Sequence, residues 1–162
     1  SLISKTKRFN ALVFGGEKAT VMAGRQEVLG HHNIRMIPVK EDMSHLFLVN
    51  EALDNNEIMS MPADRIIGSA KSVTSVFMEA EARFPAGPLS VATMKGLDVL
   101  AVNVMKTSAK HYKVYVARLS YDKQAPRRQQ MQQLADSYVK ELERRVRQYP
   151  LQWFNFYDFW SR

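Results

Sequence analysis

The sequence predicts an α/β fold: a mostly parallel central sheet flanked by helices and followed by a long C-terminal helix. Three observations carry that reading. Short apolar runs alternate with helix-spaced segments between Ala11 and Pro62, at the lengths of parallel crossover units. The apolar run Val99–Val104 and the alternating run Tyr112–Ala117 supply further strands. In the last third, Met131, Leu134, Tyr138, Leu142 and Val146 recur at spacings of 3, 4, 4 and 4, one face of a continuous helix.

Taken in order, Ala11-Leu12-Val13-Phe14 reads as a buried strand ended by Gly15-Gly16. Residues 17–29 are helix-compatible and stop at Gly30. Ile34-Arg35-Met36-Ile37 is a second strand closed by Pro38. Asp42 is placed to cap a helix whose Met43, Leu46, Phe47, Val49 and Leu53 share a face, ended by Asn55-Asn56. Glu57 to Met61 gives a third strand, stopped by Pro62. A short hairpin is expected at Val73–Met78 and Ala82–Phe84. Pro85-Ala86-Gly87-Pro88 then introduces a helix from Leu89 to Lys95, capped by Gly96. Tyr112 to Ala117, with Val114 and Val116 on one face, suits an edge or antiparallel strand, and Pro126 suits the first turn of the long helix.

Composition bounds the function. The 162 residues, 46% hydrophobic and 24% charged, match an ordinary globular domain and exclude a disordered tail or a membrane-embedded bundle. No linker-like stretch and no long repeat interrupts them, so residues 1–162 read as a single domain. With no cysteine there is neither a disulfide framework nor a thiolate zinc site, as expected in a reducing compartment. The opening Ser-Leu-Ile-Ser-Lys lacks the pattern of a signal peptide. Lys and Arg number 23 against 16 acidic residues, and the net charge of +7 points to an anionic partner.

The candidate chemistry is narrow. His31, His32, His45 and His111 make no metal-binding spacing, and no nucleophile elbow is present. Gly15-Gly16 lacks the dinucleotide fingerprint, so no cofactor is expected. Asp64-Arg65 lies just beyond an apolar strand, where ligands bind in open α/β sheets, and an oriented Arg can neutralise a phosphate; a surface ion pair is the plainer alternative. Phe84-Pro85-Ala86-Gly87-Pro88 precedes a helix whose N-terminus could receive an anion or an acyl carbonyl, though such punctuation also makes plain turns. Arg127, Arg128, Lys140, Arg144, Arg145 and Arg147 form either a solvated helix face or a surface for anionic lipid. Six aromatics between Trp153 and Trp160 form a plug for the core or an interfacial anchor.

The tail Tyr149-Pro150-Leu151-Gln152-Trp153-Phe154 resembles the Tyr-Pro-Glu-Gln-Trp-Phe/Leu signature of the bacterial lipid A biosynthesis acyltransferases, the lauroyl- and myristoyl-type enzymes of the lysophospholipid-acyltransferase-like superfamily. The extension Asn155 to Trp160 looks like the Bacteroidetes-type branch. The upstream landmarks come in the matching order: Asp64-Arg65, Phe84-Pro85-Ala86-Gly87-Pro88, Gly96-x-x-Val99-Leu100, then Tyr112-x-Val114.

The resemblance implies an enzyme at the cytoplasmic face of the bacterial inner membrane, peripheral or anchored by a preceding segment. It implies transfer of a fatty acyl chain from acyl carrier protein, or coenzyme A, to a hydroxyl of a lipid A precursor or other lipid acceptor. The family's base is a His-x4-Asp/Glu motif, with the carboxylate orienting the imidazole. Here the fifth positions after the histidines are Met36, Ile37, Asn50 and Val116, so no catalytic residue is carried over. The chain therefore reads as the C-terminal part of a longer acyltransferase, inactive alone.

The supporting positions implied are Asp64, Arg65, Gly87 and Pro88, with Arg35 as a weaker match. Pro62-Ala63 stands where many relatives have His-Gly. Arg144, Arg145, Arg147, Trp153 and Trp160 are the expected lipid-surface residues, and self-association of the chain is a further expectation. The alternative is a non-enzymatic module for anionic lipid or a membrane surface. Nucleic acid is not expected, because the aromatics do not interleave with basic residues along a strand.

Overall fold

A computed structural model describes residues 7–13, 33–40, 42, 44–66, 71–156 and 158–160. The chain divides into two compact units, residues 1–62 and 63–162.

In the first unit, β1 (Phe9–Val13), β2 (Ile34–Pro38) and β3 (Ile58–Ser60) form a parallel sheet in the order β2-β1-β3. Phe9 stands opposite both Ile34 and Ile58. These are the three strands the apolar runs predict. Asn10 is fully buried in the central strand, and its amide donates to Glu57 Oε2 at 2.8 Å and to the Ile58 carbonyl at 3.2 Å. The predicted helix over 17–29, with its bounding glycines and with His31 and His32, lies outside the described residues.

Helix α1 (His45–Asp54) differs from expectation at its start and on its face. Ser44, not Asp42, holds the N-cap position. Asp42 instead accepts the Ser44 backbone N–H at 2.9 Å, and that bond holds its carboxyl below the ordinary range. The buried face is His45, Val49 and Ala52, whereas Phe47 is 79% exposed and Leu46 is also on the outside. Asn56 then turns the chain into β3 through a left-handed backbone, φ 57°, a conformation asparagine tolerates.

The second unit is built from antiparallel pairs and two helices. β4 (Ser72–Phe77) and β5 (Ala80–Pro85) form the predicted hairpin, closed by Met78 and Glu79 with φ of 53° and 69°. Two consecutive positive φ values match the twist of the flanking strands. β6 (Val99–Lys106) pairs antiparallel with β7 (Tyr112–Leu119). Among the described residues, parallel pairing is therefore confined to the first unit, and Val99–Val104 pairs with the strand that follows it in sequence. Helix α2 spans Ala86–Met94 and α3 spans Arg127–Gln148, with a single 3₁₀ turn at Pro150–Gln152.

Two apolar clusters organise this unit. One gathers Leu89, Ala92, Ala101, Leu119, Leu134 and Ala135 from α2, β6, β7 and α3. The other gathers Phe77, Ala82, Phe84, Val139, Leu142, Val146 and Phe159, with Trp153 packed against it. Tyr138 borders both. Leu134, Leu142 and Val146 are buried as the α3 stripe predicts, and the buried face also takes in Ala135 and Val139. The C-terminal aromatics divide. Trp153 and Phe159 lie 5.2 and 5.5 Å from the Phe77 ring, and Trp160 stacks on that ring at 5.9 Å, whereas Phe154 and Phe156 face outward.

Phe77 and Phe84 are fully buried, so truncating either to alanine is expected to cost about 3–5 kcal/mol. Phe154→Ala, at an exposed position, should stay within about 0.5 kcal/mol of the parent. Urea unfolding of the three variants measures the contrast.

Candidate functional site

The Phe84–Pro88 motif is not a loop ahead of a helix, as the sequence reading had it. Pro85 is the N-cap, and Ala86, Gly87 and Pro88 form the first turn of α2. Proline is tolerated there because the first N–H groups of a helix have no intrahelical acceptor. Of the four initial positions, Pro85 and Pro88 carry no N–H, and Ala86 donates to the Lys71 carbonyl at 2.8 Å. Gly87 is thus the first-turn donor left for another group. It is exposed, and a Cβ built on it would meet nothing within 4 Å. Nearby, Arg127 at the start of α3 donates to Ser90 Oγ at 3.3 Å, a contact its place in the basic helix did not suggest.

Asp64 and Arg65 follow β3 at the beginning of the second unit. The Arg65 guanidinium donates to the Phe154 carbonyl at 3.4 Å, so the motif is tied to the C-terminal tail. Asp64 is half-buried near Tyr138. Burial, and secondarily the Asp64 carboxylate, push the Tyr138 phenol well above its ordinary range, so it stays a neutral hydroxyl at physiological pH. The Tyr138 ring meets Phe84 edge-on at 6.1 Å, one residue before the N-cap of α2. One carboxylate, one guanidinium and one helix N-terminus are thereby linked through Tyr138, Phe84 and the tail. In the sequence Tyr138 is only part of a helix stripe. Nothing in its spacing distinguishes a core tyrosine from one beside a carboxylate.

The tail motif has structural work at nearly every position. The Tyr149 and Tyr115 hydroxyls are 2.7 Å apart. Pro150 opens the 3₁₀ turn, and Leu151 is 90% exposed. The Gln152 amide accepts from the Lys106 N–H and donates to the Lys106 carbonyl, both at 2.8 Å, as a neighbouring strand would. Trp153 then enters the aromatic cluster. The expected lipid-surface role of Trp153 and Trp160 meets a competing role here, since both rings pack on Phe77 and Trp160 Nε1 donates to the Phe77 carbonyl at 3.2 Å.

The basic residues of α3 also separate. Arg145 is only 7% exposed, so the structure removes it from the expected lipid-facing set. Its guanidinium bonds Glu141 at 2.9 Å and Gln148 at 2.8 Å, and lies 4.1 Å from the centre of the Tyr115 ring. Arg144 and Arg147 are exposed and, with Lys140, line an open cleft of about 570 Å³ beside Ser75, Asp136 and Glu143. The two carboxylates are already engaged, Asp136 by Ser75 and Glu143 by Arg147 and the Met78 N–H. Arg35 belongs to the first unit, where it pairs with Glu51 at 3.4 Å. Among the described residues, no helix is long and apolar enough to cross a membrane.

The sequence profile of the bacterial lipid A biosynthesis acyltransferases matches residues 19–162. The chain belongs to that family. No curated protein matched the chain in a separate search. Membership gives it a lipid A acyltransferase-type function, with an acyl donor and a lipid acceptor in general terms. It also gives the tail contacts a meaning: the residues that carry the family signature mostly brace the fold on which the site is built.

Gly87→Ala should leave stability unchanged or raise it by up to about 1 kcal/mol, because alanine is the better helix former and space is open. Loss of acceptor binding in a variant that melts no lower than the parent would mark Gly87 as a ligand contact. Glu143 supplies a pH test. The Met78 N–H and then Arg147 hold its carboxyl below the ordinary range. Its stabilising contribution is therefore complete above the unfolded value near 4.5 and lost as pH falls through the lower folded value. Thermal melts of the parent and Glu143→Gln should differ most above pH 4.5 and draw together as pH falls below it.

Proposed function

We propose that this chain supplies the acceptor and phosphate side of a lipid A acyltransferase, at the cytoplasmic face of the bacterial inner membrane. The donor is an acyl thioester of acyl carrier protein or coenzyme A. The acceptor is a phosphorylated lipid A precursor. In the reaction a hydroxyl oxygen of the acceptor attacks the thioester carbonyl, an ester bond forms, the C–S bond breaks, and the hydroxyl proton passes to a general base.

The base of this reaction lies outside these 162 residues, because no histidine here is followed five positions on by an acid. What this chain contributes is charge and shape. Arg65 offers a guanidinium for a phosphate beside Asp64, and Gly87 offers a backbone donor at the positive end of α2. The observation that carries the reading is the linkage of Asp64-Arg65 to the start of α2 through Tyr138 and Phe84, within a chain that matches the family over 19–162.

Labelled acyl transfer and acceptor binding test it together. The 162-residue chain should show no turnover with either thioester, yet bind a phosphorylated glycolipid acceptor saturably. Arg65→Ala should weaken that binding about tenfold, the value of one charge-assisted contact. Turnover by this chain alone would contradict the placement of the base. Absence of acceptor binding would contradict the placement of the acceptor side.

A further inference from the structure

Antiparallel sheets that face water on one side normally turn apolar side chains inward and polar ones outward. The β6–β7 pair breaks that rule. The inward row, from Ala101 and Leu119 to Tyr115, packs toward α3 and includes Asn103. The outward row carries Leu100, Val102 and Val104 on β6, and Val114 and Val116 on β7, between 39% and 58% exposed. Register makes this row one surface, since Val102 stands opposite Val116 and Val104 opposite Val114. Packing within the second unit therefore leaves a second apolar face outside, about as apolar as the inward one.

Charge decides what this face suits. The two ends of the outward row are Lys106, opposite the exposed Tyr112, and Arg118, opposite Leu100. The row itself holds no carboxylate. Asp98, beyond one end, is already bonded by Arg118 and Lys123. The loop at the other end adds exposed Lys110. Gln152, bonded to the Lys106 backbone, brings the 90% exposed Leu151 to that same end. We propose that the outward face of β6–β7 docks on an anionic phospholipid surface, with its valines and leucine in the interface and Lys106, Lys110 and Arg118 against the head groups. A second copy of the chain is the poorer occupant, because it sets one basic rim against another. The inference deepens the proposed function by naming the surface that meets the membrane, but its test requires no acyl transfer.

Co-sedimentation with vesicles of phosphatidylcholine, and of phosphatidylcholine mixed with phosphatidylglycerol, reads the proposal directly. The parent should bind the mixed vesicles, and bind them less as salt rises. Val102→Ser combined with Val104→Ser and Val116→Ser should weaken binding at least about tenfold, at unchanged far-UV circular dichroism. Lys106→Glu with Lys110→Glu, at exposed positions, tests the same face should the serine variant unfold, and should abolish the preference for phosphatidylglycerol. Parent-like vesicle binding by both variants would overturn the proposal. So would absence of binding by the parent, including the case in which the parent is a dimer that the serine variant dissolves. Acceptor binding that persists in the serine variant separates failure of this docking surface from failure of the proposed acceptor site.

Discussion

Phe77, beside the two-residue turn of the β4–β5 hairpin, meets Phe84, towards its open end, edge-on at 6.1 Å, and the second unit depends on how that pair is covered. Neither strand can bury these rings alone, since a two-stranded hairpin has no interior. α3 covers them from one direction with Val139, Leu142 and Val146. The tail covers them from another with Trp153, Phe159 and Trp160, whose rings lie within 6 Å of Phe77. Each of these rings removes a large apolar area from water, and the edge-to-face arrangements add to that burial.

The same cluster ties the candidate site together. β5 ends one residue after Phe84 and becomes the N-cap of α2, so burial of Phe84 positions the Gly87 donor. Tyr138 packs on Phe84 and senses Asp64, and Arg65 reaches the tail at Phe154. The candidate site and the core share residues, so the tail motif can support that site through packing alone. Tyr149, Gln152 and Trp153 bond or pack against β7, β6 and Phe77 respectively.

Much of this was legible in the residues, for physical reasons. The strands of the first unit, the β4–β5 hairpin and α3 all follow from periodicity and punctuation, and the structure has them within a few residues. Other features depend on distance in space. Residues 99–104 read as a further strand with no partner named, because an apolar run does not announce its partner; the short loop to β7 makes antiparallel pairing the nearer solution. Arg145 read as one more surface cation, yet Glu141 one turn earlier and Tyr115 from β7 make its burial tolerable. The alternation of Val114 and Val116 was visible, but not that their face would be the outer one.

The central claim is that the aromatic tail holds the hairpin and, through it, the start of α2. Hydrogen exchange in a chain ending at Gln152 tests this most directly, because it removes Trp153, Phe159 and Trp160 while retaining the Gln152 contact to β6. The account predicts that amides of β4, β5 and the first turn of α2 lose protection, while those of the β6–β7 pair keep it. Unchanged protection across β4, β5 and the beginning of α2 would contradict it.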